Sequence, residues 1–313
     1  MKSLKEYIYE VSLTEGSFTE GSFTEGLLDR VKNKDVNHEA LIKEFLKENY
    51  FIDPYEIKTT NNKLVIDVKG NVKVINKDIT SLTNGLFEFG VVSEYFDCTR
   101  CESLKTLEGS PREVGGGFWC NKCHSLTNLK GAPEKSRNFD CSNCDSLKTL
   151  EGAPQECLGF ECCSCKSLET LEGAPEKCNT FDCSHCKSLK SLKGAPEKSR
   201  NFDCSNCDSL KTLEGAPKEA GEFDCNLCQN LKSLKGAPEK VSNKFNCDYC
   251  NNLTSLEGSP KECGEFKCCF CKSLTSLEGA PEKCNMFDCR SFGKRFTAND
   301  IRKHVKIVKN MKM

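Results

Sequence analysis

One phrase recurs nine times at a spacing of 21 or 22 residues: Phe-x-Cys-x-x-Cys-x-x-Leu-x-x-Leu-x-Gly-x-Pro. The first copy is Phe96, Cys98, Cys101, Leu104, Leu107, Gly109 and Pro111; the last is Phe266, Cys268, Cys271, Leu274, Leu277, Gly279 and Pro281. A truncated tenth copy opens at Phe287 and Cys289. A unit this short cannot enclose its own apolar face and must bury it against neighbouring copies, so the period predicts a solenoid. Because the repeat fills about two thirds of the 313 residues, one elongated body is expected rather than two domains.

Composition narrows the class further. A formal net charge of −1 gives no reason to expect nucleic acid or a membrane surface as partner. No apolar run approaches the ~18 residues of a bilayer span. The opening Met1–Tyr7 lacks the apolar core of a secretion signal. The 25 cysteines are therefore expected as thiols in a reducing cytoplasm. Eighteen are the two phrase cysteines of nine repeats, and Cys289 opens the tenth. Cys157, Cys178, Cys263 and Cys284 share one slot, filled elsewhere by Val114, Ser136, Ser199, Ala220 and Val241; such a slot wants a small, mostly buried side chain. Cys163 and Cys269 fall at a position that looks like surface.

Four segments follow from the patterning. Residues 1–35 carry a Thr-Glu-Gly tandem and are expected to be a flexible segment with one short helix. Residues 36–95 predict an α+β cap: a helix from Asn37 to Asn49 carrying Leu41, Phe45 and Leu46, then strands around Tyr55–Lys58 and Leu64–Val68 joined at Asn61-Asn62. Val72, Val74, Ile79 and Leu82 then approximate the repeat without its cysteines. Residues 96–292 are the repeat array, and 293–313 predict a basic capping helix. In that helix Thr297 and Asp300 form a capping box, Phe296 staples on Ile301, and Ile301, Val305 and Val308 make one apolar stripe. Its basic residues, Lys294, Arg295, Arg302, Lys303, Lys306, Lys309 and Lys312, are expected on the polar side of the helix.

The segment Phe202-Asp203-Cys204-Ser205-Asn206-Cys207, continued by Leu210 and Leu213 and turned by Gly215-Ala216-Pro217, resembles the Leu-x-Leu-x-x-Asn/Cys core of leucine-rich repeats. The resemblance spans roughly residues 72–292, and the wording is similar to short leucine-rich proteins of bacteria and gut bacteriophages. It implies an α/β repeat solenoid: an arc with short parallel strands on the concave face and a mostly irregular convex side. Independently, strand alternation turns Phe202 and Cys204 inward and Asp203 outward. Coils stacked ~4.8 Å apart would give an array of about 45–50 Å. An interior Phe→Ala in the resulting ladder is expected to cost roughly 3–5 kcal/mol. A near-identical stretch at Leu129–Pro154 and Leu192–Pro217 points to internal duplication.

The cysteines admit a second reading. Cys98, Cys101, Cys120 and Cys123 have a spacing that falls within the range of zinc sites. The repeat register, however, assigns the first cysteine to the strand and the second to a ladder on the turn backbone, whereas a tetrahedral site needs four sulfurs at one point. Structural thiols are the expectation, with zinc as the alternative and no other cofactor. Disulfides between coils are not expected, because in-register neighbours should be too far apart at Cβ.

No recurrent Ser/His/Asp set, phosphate-binding loop or catalytic carboxylate pair emerges, so an enzyme is not expected. One column has chemical character. The residue between Phe and the first Cys runs Asp97, Trp119, Asp140, Glu161, Asp182, Asp203, Asp224, Asn246, Lys267 and Asp288, seven of ten acidic. Strands disfavour Asp, and like charges on adjacent strands oppose one another. The expectation is a non-enzymatic, monomeric protein-interaction module. It would bind a partner with a basic surface along Asp140, Glu161, Asp182, Asp203 and Asp224, with Trp119 as aromatic anchor. The other reading of this column is a solvated face duplicated along with its repeat. The chain would act in the cytoplasm, that of a bacterial host if phage-encoded; a virion structural component is the other alternative.

Overall fold

The computed structural model of the protein describes residues 38–61, 63–291 and 296–313, with His38 and Ile307 described by their backbone alone. The segment expected over 1–35, Asn37 at the start of the expected helix, and Lys294 and Arg295 lie outside these residues. Helix α1 (His38–Asn49) leads into β1 (Tyr50–Ile52), then β2 (Tyr55–Thr60) and β3 (Lys63–Val68), which pair as an antiparallel hairpin. Asn61 takes the left-handed conformation at its turn (φ 51°), which Asn tolerates better than most residues. The apolar side of α1, Ile42, Phe45 and Leu46, is buried against Tyr50, Phe87 and Phe89.

From β4 (Val72–Val74) onward the chain coils. Strands β5 (Glu88–Val92), β6 (Phe96–Asp97), β7 (Glu113–Trp119) and β8 (Lys135–Asp140) are followed by β9 (Glu156–Glu161), β10 (Lys177–Asp182), β11 (Lys198–Asp203) and β12 (Glu219–Asp224). The array ends with β13 (Lys240–Asn246), β14 (Glu262–Lys267) and β15 (Lys283–Asp288). Strands β4 and β6 to β15, with a final strand β16 (Ile307–Lys312), form a run of twelve parallel strands, one per turn of the solenoid. Val72 and Val74 are fully buried and Val72 pairs with Phe96, so the cysteine-free turn before the array is a true coil.

The repeat positions are physically distinct. Phe96, Phe118, Phe139 and their successors to Phe287 stack with centroids 5.3–5.5 Å apart and planes within 13° of parallel. The phrase leucines are buried beside them. Every second phrase cysteine from Cys123 to Cys271 donates its thiol to the carbonyl of the first cysteine one coil earlier, as Cys207 does to Cys183 O at 3.3 Å. The residue before each second cysteine is left-handed although none is glycine, including Leu227, Tyr249 and Phe270 at φ 58–59°. That conformation costs roughly 1–2 kcal/mol per residue. It is held by the neighbouring coil: Leu227 N–H, for example, donates to Asp248 O at 2.9 Å.

The α component is confined to the ends. Two helices occur among the described residues, and the repeats contain only strands and turns. The basic helix expected over 293–313 is also corrected. Helix α2 spans Ala298–His304 with the expected Thr297–Asp300 capping box, and Ile307–Lys312 is strand β16, paired in parallel with β15. The exposed edge of the last coil offers unpaired backbone groups, and strand pairing satisfies a whole row of them where a helix would satisfy none. Val305 remains buried under α2, while Met311 aligns with Phe287 and extends the ladder position. No described helix is long and apolar enough to cross a membrane.

Candidate functional site

The column between Phe and the first Cys is continuous in space. Trp119 pairs with Asp140, Asp140 with Glu161, Glu161 with Asp182, Asp182 with Asp203 and Asp203 with Asp224. Each lies at the C-terminal end of its strand, one residue after the buried Phe, so strand alternation turns it away from the core. All six residues proposed from sequence are therefore brought together in register.

A structural duty accompanies the charge. Asp97, Asp140, Asp182, Asp203 and Asp224 each accept a hydrogen bond from the backbone N–H two residues on, at 2.8–3.0 Å. Short acidic side chains suit this position because they close the turn that leaves the strand. This bond was missed in the sequence, though Asp or Asn two residues before an unpaired turn amide is its ordinary signal. A backbone amide carries no net charge, so this bond does not neutralise the carboxylate.

Elsewhere on the stack, acids and lysines one coil apart neutralise one another, as in Lys190–Glu169 at 2.6 Å, Lys193–Glu172 at 3.1 Å and Lys235–Glu214 at 3.2 Å. Among the described residues, none of Asp140, Glu161, Asp182, Asp203 and Asp224 is in an ion pair; their side-chain partners include the amides of Asn121 and Asn246. Burial raises the Glu161 pKa, helped by the charges of Asp140 and Asp182. Burial likewise raises Asp203 against the pull of Ser205, with Asp224 and Asp182 adding to the rise. Glu161, Asp182, Asp203 and Asp224 line a shallow cleft of about 300 Å³ together with Thr180, Asn201 and Glu222. The last three, two residues before the column on the same strand face, were missed by sequence reasoning; the period-2 rule that placed Asp203 also places Asn201.

Both ends of the column are closed by other chemistry. Trp119 is 36% exposed and stacks on Tyr95, centroids 4.9 Å apart. Its indole lies over Gly117, where a Cβ would come within 2.7 Å of Nε1. At the other end, Lys267 pairs with Glu265. Asp288, counted in the column from sequence, is withdrawn: it is fully buried, bound by Arg290 at 2.8 Å and by the Cys269 thiol at 2.9 Å.

The zinc alternative meets a different geometry. Cys98, Cys101, Cys120 and Cys123 are fully buried, and Cys123 donates to Cys98 O at 3.2 Å. Among the described residues no three His, Cys, Asp or Glu side chains are grouped to hold a metal ion. Burial pushes Cys98 up to about 11, and Cys186 and Cys228 to about 12, so all three stay protonated thiols and the last two keep the proton they donate. All 25 cysteines are free. The distance argument against contacts between coils fails at Cys157 and Cys178, whose sulfurs lie 3.6 Å apart. Compared with protein families, curated proteins and solved structures, the chain matches none.

Proposed function

We propose that this chain is a non-enzymatic, monomeric leucine-rich-repeat module that captures a protein with a basic surface along Asp140, Glu161, Asp182, Asp203 and Asp224. In this reading the strand face is the concave side of the arc, Trp119 is an apolar anchor at one end, and the chain works in the cytoplasm, that of a bacterial host if phage-encoded. The supporting observation is the contrast in charge pairing. Acids on the flanks find lysines one coil away, whereas five adjacent carboxylates of the column have no ion pair among the described residues. Such a row raises the rate of encounter with a cationic partner and penalises an acidic one.

The test compares the chain with an Asp182→Asn/Asp203→Asn/Asp224→Asn variant in pull-downs from the native host at low and physiological salt. The amides keep the turn acceptor and remove three charges. Loss of capture with an unchanged thermal transition supports the reading; equal capture by both proteins overturns it.

A further inference from the structure

Three bulky side chains take a backbone conformation that suits them poorly. The residue before each second phrase cysteine is left-handed, and in the earlier coils it is Arg100, Lys122, Asn143, Ser164, His185 or Asn206. In the last coils of that series it is Leu227, Tyr249 and Phe270, at φ 59°, 59° and 58°. A bulky residue is an outlier there, whereas asparagine tolerates the conformation. Burial offers no compensation, since Leu227 is 39% and Tyr249 42% exposed. Strain kept at solvent-facing positions points to a role outside the fold itself.

The three residues sit on successive coils. The Leu227 amide donates to Asp248 O and the Tyr249 amide to Cys269 O, so each is held by the turn that carries the next. The Tyr249 and Phe270 rings stack, with centroids 4.9 Å apart and planes 21° from parallel. With Leu227 they make an apolar strip on the turns that leave β12, β13 and β14. Leu227 follows Asp224 in the same turn, so the strip begins where the acidic column ends. Asp248 adjoins Tyr249 in the chain. Neither Asp224 nor Asp248 is in an ion pair among the described residues; Lys267, whose charge reaches Asp248, is paired with Glu265.

We propose that Leu227, Tyr249 and Phe270 dock the apolar end of a protein segment whose basic residues lie along the acidic column. This rests on the capture of a basic partner proposed above. The charges decide the chemistry of the occupant. A purely apolar segment would cover Asp224 and Asp248 without supplying a cation, and desolvating an unpaired carboxylate is costly. A purely basic segment would leave most of the strip in water and forgo the apolar burial that favours association. A basic run that continues into aromatic or aliphatic residues satisfies both. Tyrosine is also among the residues that most often dominate binding at an interface.

The experiment uses synthetic peptides and isothermal titration calorimetry on the full chain. One peptide is a run of alternating lysine and glycine with Phe-Leu-Phe at both ends; the other carries Ser-Ser-Ser in their place. The parent should bind the apolar-ended peptide at least about tenfold more tightly than the serine-ended one. A Leu227→Asn/Tyr249→Asn/Phe270→Asn variant should lose most of that preference and bind the serine-ended peptide as the parent does. Asparagine already fills this slot at Asn143 and Asn206, so the fold accepts the variant. Should it nevertheless unfold, the same comparison on Tyr249→Asn decides. No preference in the parent, or one that the variant keeps, overturns the proposal. So does a parent dimer in sedimentation velocity that the variant dissociates, since the strip would then face a second copy. The Asp182→Asn/Asp203→Asn/Asp224→Asn variant should bind both peptides more weakly. If it holds the serine-ended peptide as tightly as the parent, the column reading falls and this proposal with it, whereas a missing apolar preference alone leaves the column standing.

Discussion

The carboxylate of Asp203 accepts a 2.8 Å hydrogen bond from the backbone N–H of Ser205, and Asp203 lines the cleft on the strand face. Turn closure and charge are thus separable at one residue. Asp203→Asn keeps the acceptor, whereas Asp203→Ala leaves the Ser205 amide without it. The alanine variant should be less stable than the asparagine variant by about 1 kcal/mol. Urea unfolding of the two proteins measures the difference; equal midpoints would show the bond to be idle.

Charge in the column works against the fold. The pKa values of Glu161 and Asp203 are raised, chiefly by burial and then by the adjoining carboxylates. An acid whose folded pKa exceeds its unfolded one contributes stability at low pH that is lost as pH rises through the folded value. A Glu161→Gln/Asp203→Asn variant escapes that loss. Its thermal midpoint should therefore exceed that of the parent by a margin that widens between about pH 4 and about pH 7. A margin independent of pH would contradict the assignment.

Gly173 is one of the glycines at which the backbones of two coils approach closely. Its φ is +88°, and an added Cβ would lie 2.5 Å from Glu151 N and 2.6 Å from the Leu150 carbonyl carbon. Gly173→Ala should lose more than the roughly 1–2 kcal/mol that the left-handed conformation alone imposes. Circular-dichroism melts provide the check, and a midpoint like the parent's would refute the close approach.

Chelation distinguishes thiol ladders from a metal array. A second cysteine that donates to a carbonyl, as Cys207 does to Cys183 O, holds the coils without a cation. Prolonged EDTA treatment should leave the melting temperature unchanged. A large fall, reversed by zinc, would restore the metal reading, since structural zinc contributes folding energy outright.

The strand positions were legible because each coil repeats one environment. Phe202, Cys204, Leu210 and Leu213 face the core in one unit for the same reason as their counterparts in every other, so the period identifies the interior. The column from Asp140 to Asp224 was legible for the same reason. The left-handed residues were not: Asn143 and Asn206 announce the conformation, but Leu227, Tyr249 and Phe270 adopt it only because the next coil's carbonyls hold their amides. Asp288 was misread because its neutralising partner, Arg290, falls where the repeat has broken down.

By itself the sequence determined the solenoid, its inward residues and the run of outward acids, since local alternation and a fixed period depend on neighbours along the chain. Only the tertiary structure decided which charges are left without a cation, that the final coil closes with a strand, and that Cys157 meets Cys178. Those outcomes depend on atoms about one coil apart, where small differences in backbone register and side-chain reach separate a contact from a gap. The composition of a single repeat does not encode them.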